Sequence, residues 1–362
     1  MNTTESSQPW AQIKKIKTAE ARKAIPQVCY KRSMYKTFFW FIFDLLFFSS
    51  GMVLIFSSPV LWVKLVGALV SGTATATMFV WGHDAAHGAL FKSAKVSELL
   101  GTITMLPSLN IYRMWSYGHN KVHHGFNSFS PIDWIWRPLT PQQYQALSTY
   151  QRLLYRIERN FFSCGFHYLR RVWWEGMIRF NPGKDKQQRR HYRNGKLFSL
   201  AYAIIASLMG YFFAGGIIGV IAVVVLPFII FNYFISIFVY LHHTHPDIPF
   251  FDLKSEWSHS IGALYCSTII HCSKISKILT HNILTHIPHH LDIRIPFYNL
   301  PQAAAALKKE YGAYFHEYKF KWGYVCGIFK KCKLYDFENK VWMTFEEAKQ
   351  QLELKQAKSA SL

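Results

Sequence analysis

Four apolar runs, each close to the thickness of a bilayer, decide what this chain can fold into. They cover residues 37–58, 60–81, 197–214 and 217–241. A helix needs about 20 such residues to cross the hydrocarbon core. No water reaches that depth, so a spanning run must satisfy its own backbone and is read as helix. Only Ser57-Ser58-Pro59 marks the turn between the first two runs, and the uncharged Gly215-Gly216 separates the last two. Links this short make two helical hairpins. The expected fold is an all-α integral membrane protein with four transmembrane helices. A weaker stretch, 99–111, is too short to span and is expected to lie in the interface or dip into it. The organisation read from this pattern is a polar segment 1–36, a membrane domain 37–315 and a helical tail 316–362, with amphipathic helix at 345–358.

The 362 residues are 51% hydrophobic, yet their formal net charge is +21. Such a charge can mark a nucleic-acid binder, but here the cations lie between and beyond the apolar runs. Residues 113–197 hold fifteen Lys and Arg against four Asp and Glu. The positive-inside rule accounts for that placement without a polyanion, so no nucleic-acid partner is expected. Anionic headgroups are a natural contact for the same residues. With Lys31, Arg32 and Lys36 ahead of the first run, the rule puts both termini and the 113–197 loop on the cytoplasmic side. The first thirty residues lack the short apolar core of a cleaved signal peptide. The six cysteines form no CxxC and are expected to be free thiols.

That topology gives meaning to eight histidines. His83 and His87 (HDAAH) follow the second span. His119, His123 and His124 (HNKVHH) lie between the second and third, and His286, His289 and His290 (HIPHH) follow the fourth. All three clusters meet the same membrane face. Residues three and four apart share a helix face, so each cluster is expected to aim its rings at one point. Neutral imidazole is the commonest side-chain metal ligand. An all-nitrogen set suits Fe, Zn, Cu or Ni. Four ligands fill a zinc site, so eight histidines are too many for one ion and suit two with open positions.

The order HDAAH, HNKVHH, HIPHH, interleaved with two membrane hairpins, resembles the membrane-bound fatty acid desaturases over about residues 75–315. Segments 240–246 (YLHHTHP), 256–258 (EWS), 281–290 (HNILTHIPHH) and 294–301 (RIPFYNLP) are most similar to the delta-12 and omega-3 acyl-lipid branch. The resemblance implies a cytoplasmic helical cap carrying a non-haem di-iron centre. Its two Fe ions would be held by His83, His87, His119, His123, His124, His286, His289 and His290. Such a centre activates O2 with two external electrons and removes two hydrogens from adjacent methylenes of a membrane-lipid acyl chain. The resemblance also implies a further ligand near the end of the last span, His243 or His245, with His242 ranked behind them. His281 lies five residues before His286, about 140° round a helix, which argues against direct ligation and leaves it a supporting partner. Asp84 can hydrogen-bond a metal-bound imidazole and fix its tautomer; an N-capping or solvated role suits it equally. Asp133, with Trp134 and Trp136, is read as shaping a headgroup-level surface.

The sequence contains no His-Pro-Gly-Gly haem segment and no Gly-rich dinucleotide fingerprint. Electrons are therefore expected from a separate donor of ferredoxin or cytochrome b5 type, steered by the basic face if that donor is acidic. Within the same superfamily, carotenoid ketolase or hydroxylase, alkane hydroxylase and sphingolipid desaturase remain alternatives. The delta-12 position follows from resemblance alone, and delta-9, delta-15 and delta-6 stay open, as does the acyl carrier. An intramembrane zinc hydrolase would need the acid/base Glu of HExxH, which no box contains. A metal transporter would place ionisable residues along the spans, and the apolar runs offer only Asp44 and Lys64.

Overall fold

The computed structural model describes residues 9–360 and is mainly helical. Four helices among them are long and apolar enough to cross a membrane. The first, α1 (Met34–Ser57), starts where the Ser33 side chain accepts from the Lys36 N–H. The second, α2 (Leu61–Ala86), follows after three residues. The two touch through small residues: a Cβ on Gly67 would meet the Gly51 carbonyl at 2.7 Å. In lipid, where apolar contact with tails competes with apolar contact between helices, such close backbone approach is a main source of helix association. Lys64 donates its ammonium to the Ile55 carbonyl at 2.7 Å and stays buried.

A turn at Gly88, whose φ of 67° favours glycine, leads into α3 (Ala94–Met105). This is the weak apolar stretch. It packs beside α2, where a Cβ on Gly82 would clash with Thr104. The chain then forms α4 (residues 112–126), whose middle, Gly118–His123, is π-helical. A second π-helical segment, Tyr168–Ile178, follows in the long polar region.

The third apolar helix, α5, runs Lys186–Phe213 and so begins eleven residues before the apolar run that marks it. Asp185 accepts from the Gln187 and Gln188 N–H groups, and this cap starts the helix within its charged segment. The left-handed pair Gly215 and Gly216 turns the chain into α6 (Ile217–His243). Of the four helices, α2 is the interior one: 67% of its apolar window is buried, against 17% in α1 and 11% in α5. Those outer helices present Leu, Ile and Phe side chains that only lipid can cover.

The fold is mainly helical, as expected, but not purely so: two short two-stranded sheets lie outside the spans. Strand β1 (Thr268–His271) pairs in parallel with β2 (His316–Lys319), and β3 (Leu334–Asp336) pairs antiparallel with β4 (Val341–Met343). Both sheets have two strands and lean on the aromatic cluster of Tyr240, Phe250, Phe329, Tyr335 and Trp342, which supplies the cover that short strands need. Between β1 and β2 lies α7 (His286–Leu291), one and a half turns long and wholly buried.

Candidate metal centre

The histidines converge at the ends of α2 and α6, against α4 and α7. They do not sort by sequence cluster. His83, His87, His119, His124 and His289 form one group, and His123, His243, His286 and His290 form a second. Within each group one ring nitrogen per residue lies within 4.8 Å of all the others. The second and third clusters are each divided between the groups, which corrects the expectation that a cluster aims at one point. The π-turn in α4 is the cause for the second cluster. His119 and His124 are five apart, and i→i+5 geometry brings their Nε2 atoms to 3.0 Å. His123, one residue earlier, turns instead to His243, with 3.1 Å between Nε2 atoms.

These separations test whether the groups fit a metal. Two nitrogens each about 2.1 Å from one ion stand about 3.0 Å apart at right angles and about 3.4 Å apart at a tetrahedral angle. The observed Nε2 pairs are 3.0, 3.1 and 3.4 Å, the last between His83 and His87. Several Nδ1 atoms are held from behind. His243 donates to the Cys266 carbonyl at 3.0 Å and His286 to the Ile283 carbonyl at 3.2 Å, which leaves Nε2 bare in both. Asp84 lies 2.9 Å from His83 Nδ1, and Asp133 lies 3.1 Å from His123 Nδ1. Each group thus has one carboxylate behind one ring, the arrangement that orients metal-bound histidine. Both nitrogens of His289, and Nε2 of His290, are buried with no hydrogen-bond partner among the described residues. Leaving such atoms unpaired is costly, and a cation is the partner that the cluster as a whole can share.

Burial, reinforced by the neighbouring imidazoles, holds His87, His119, His124, His286, His289 and His290 well below the ordinary histidine value. Neutral rings are the ligating form. Trp115 stacks on His119 at 4.3 Å between centroids and limits its rotation.

The other sequence candidates fall outside the two groups. His242 stacks on His286 at 3.7 Å. His245 contacts the Tyr324 hydroxyl at 2.6 Å and, with Asp247 and His316, forms a third, separate set. His281 Nε2 pairs with Asp44 of α1 at 2.8 Å, and its ring stacks on Phe297, whose N–H donates to Asp84. Asp133 and Trp136 are buried, 2% and 1% exposed, so they do not form a headgroup surface. Sequence reasoning missed the Asp133–His123 contact and also His167, which stacks on Trp136 at 3.7 Å and lies 3.8 Å from Glu158. Ten residues separate Asp133 from His123, a spacing that carries no helical signal.

An apolar cavity touches both groups, through His83 and His119 on one side and His123, His243 and His286 on the other. Its walls include Phe79, Met114, Tyr168, Val172, Met177 and Ile235.

The family model for fatty acid desaturases matches residues 59–322. The chain belongs to that family. Over 285 residues this desaturase is 31% identical to the sn-1 oleoyl-lipid 12-desaturase of Picosynechococcus sp., covering 75% of this chain and 76% of that one. It is 28% identical to the enzyme of the same name from Synechocystis sp., over 93% and 94% of the two chains. To the chloroplastic omega-6 fatty acid desaturase of Glycine max it is 29% identical, over 80% and 67%. The desaturase is an O2-dependent oxidoreductase, integral to the membrane, that acts on lipid and uses iron.

Proposed function

We propose that the chain introduces a cis double bond at the delta-12 position of an acyl chain carried on an intact membrane lipid. The observation that carries this reading is an apolar cavity bordered by both histidine groups. The five-histidine group and the four-histidine group would each hold one iron ion, so the ligands are the eight box residues and His243. Iron bound there supplies O2 activation strong enough to break an unactivated C–H bond, chemistry that side chains alone do not offer. The residues of the chain do the rest. Asp84 and Asp133 hold His83 and His123 in the ligating tautomer. Apolar walls position the methylenes beside the histidines and exclude water. In the overall reaction two C–H bonds break and one C=C bond forms. O2 becomes two waters, with two electrons from the substrate, two from a donor protein, and two protons from solvent.

The delta-12 position rests on the relatives' names. Four spans in two hairpins, with termini and histidines cytoplasmic, follow from the basic loops. A separate ferredoxin or cytochrome b5 type donor would dock on that face. The test is the fatty-acid profile of cells expressing the chain, read by gas chromatography with double-bond localisation, beside a His289→Ala control. A new diene that depends on His289 is expected. No new double bond, with the donor supplied and iron bound, would refute the reading and turn attention to carotenoid and alkane substrates.

A further inference from the structure

A second cavity adjoins the apolar one, and the two share five lining residues: Met114, Gly118, Trp134, His167 and Gly176. These form a neck. The glycines keep it open. A Cβ on Gly118 would meet no atom within 4 Å, and one on Gly176 would lie 3.3 Å from the Arg171 carbonyl and 3.5 Å from the Trp134 ring. Beyond the neck charged and hydroxyl groups join the apolar walls: Tyr117, Arg137, Tyr155, Glu158, Arg159 and Arg171.

The charges in this mouth do not cancel. Arg170 and Arg171 pair with Glu158 and Glu175, two cations against two anions. Arg159 remains without a carboxylate partner; it is buried, donates to the carbonyls of Trp136, Arg137 and Cys332 and lies over the Trp136, Tyr155 and Trp342 rings. Arg137 also remains, exposed, with no side-chain partner among the described residues. Two guanidinium groups are therefore uncompensated, and one is free to make a bidentate contact with phosphate. The mouth also sits at the right depth. Tyr192 of α5 lines it, five residues before the first apolar residue Leu197. That is about 7.5 Å along the helix, comparable with the ~5–7 Å headgroup layer on one side of the hydrocarbon.

The geometry points to a headgroup site for the phosphodiester of a glycerophospholipid, with the acyl chain threading the Gly118–Gly176 neck toward the histidines. This rests on the acyl-lipid reading above and adds the headgroup chemistry to it. A single phosphodiester carries one negative charge, which the exposed Arg137 guanidinium matches, Arg159 being buried and turned to backbone carbonyls. Acyl-coenzyme A, with several phosphate charges, would need more cations than the mouth leaves unpaired.

The test uses the iron-loaded full chain with a reducing system, in vesicles carrying oleoyl chains on phosphatidylglycerol or on galactosyl diacylglycerol, and with oleoyl-coenzyme A as a third substrate. Phosphatidylglycerol is expected to be the best substrate. Arg137→Ala should raise its KM about tenfold, the loss of a charged hydrogen bond, with kcat kept and the galactolipid unaffected. Arg137→Lys should recover part of the loss. Gly118→Leu should lower turnover of every lipid at least about tenfold with iron content unchanged. Equal use of the galactolipid together with an unaltered KM in Arg137→Ala would overturn phosphate recognition, while the diene formed would leave the desaturase reading intact. Preference for oleoyl-coenzyme A would overturn it as well, and full activity in Gly118→Leu would overturn the neck.

Discussion

Asp84→Asn is a nearly isosteric change with a calculable consequence. Asp84 is fully buried; one carboxylate oxygen lies 2.9 Å from His83 Nδ1 and the other accepts the Phe297 N–H at 2.6 Å. Asparagine keeps the volume, and its amide oxygen still serves Phe297. Its NH2 then faces His83 Nδ1, and two donors cannot share one hydrogen bond. His83 must accept at Nδ1 and carry its proton on Nε2, the atom 3.4 Å from His87 Nε2. Ligation then opposes the tautomer. Losing such an outer partner costs about 10–100-fold in metal affinity or activity, or about 1.4–2.7 kcal/mol. Asp84→Ala also strands the Phe297 N–H, adding about 1–3 kcal/mol of instability. Anaerobic Fe(II) titration of the metal-free chain in detergent gives the affinity, and thermal melts of the same metal-free sample give the packing cost. The expected pattern is Asn weak in iron binding but near wild type in melting, and Ala impaired in both. Asp133→Asn should repeat the pattern through His123. Wild-type iron affinity and turnover in Asp84→Asn would refute the tautomer argument.

Four further changes separate the site from its surroundings. His243→Ala removes one of four nitrogens from one group and none from the other, so bound iron should fall by about half, while His245→Ala should leave it unchanged; metal analysis of purified protein decides. Gly67→Ala forces a methyl against the Gly51 carbonyl and the Ile55 side chain, and should destabilise the chain by about 1–3 kcal/mol, read as a lower melting temperature with iron binding retained in the fraction that folds. Burial pushes the Glu158 carboxyl up, but the neighbouring His167 ring, the hydrogen bond from Arg170 and the Arg171 charge outweigh it and hold the pKa at about 2. A depressed carboxyl contributes stability that is present above its unfolded value near 4.5 and lost as pH falls through about 2. The contribution is about 3 kcal/mol. Glu158→Gln should therefore lower the melting temperature at pH 7, with the gap to wild type closing as the pH approaches 2.

What the sequence reveals and what it withholds follow the range of the forces involved. The spans are legible because lipid imposes its requirement on every residue of a run, so α1, α2 and α6 begin and end within a few residues of their apolar limits. The start of α5 is less legible, because Asp185 caps a charged segment that hydropathy excludes from the span. The box histidines are legible as a set because their spacing is local. The division of the second cluster between two groups is not, since it depends on a π-turn in α4. That helix is held at its far end by Asn127, whose side chain donates to the carbonyls of Gly262 and Cys266 and whose own carbonyl accepts from Trp257. Those partners lie about 130 residues away. The choice of His243 over His245 needed no such distance. His245 precedes Pro246, and the residue before a proline is driven out of the helical region. Thr244 is already extended, with φ −123° and ψ 115°. His243 thus ends the last helical turn, on the face that meets His123, while His245 is carried away toward Tyr324. The proline was visible in the sequence throughout, and it excludes His245 from the helix on steric grounds that a comparison of histidine spacings alone leaves out.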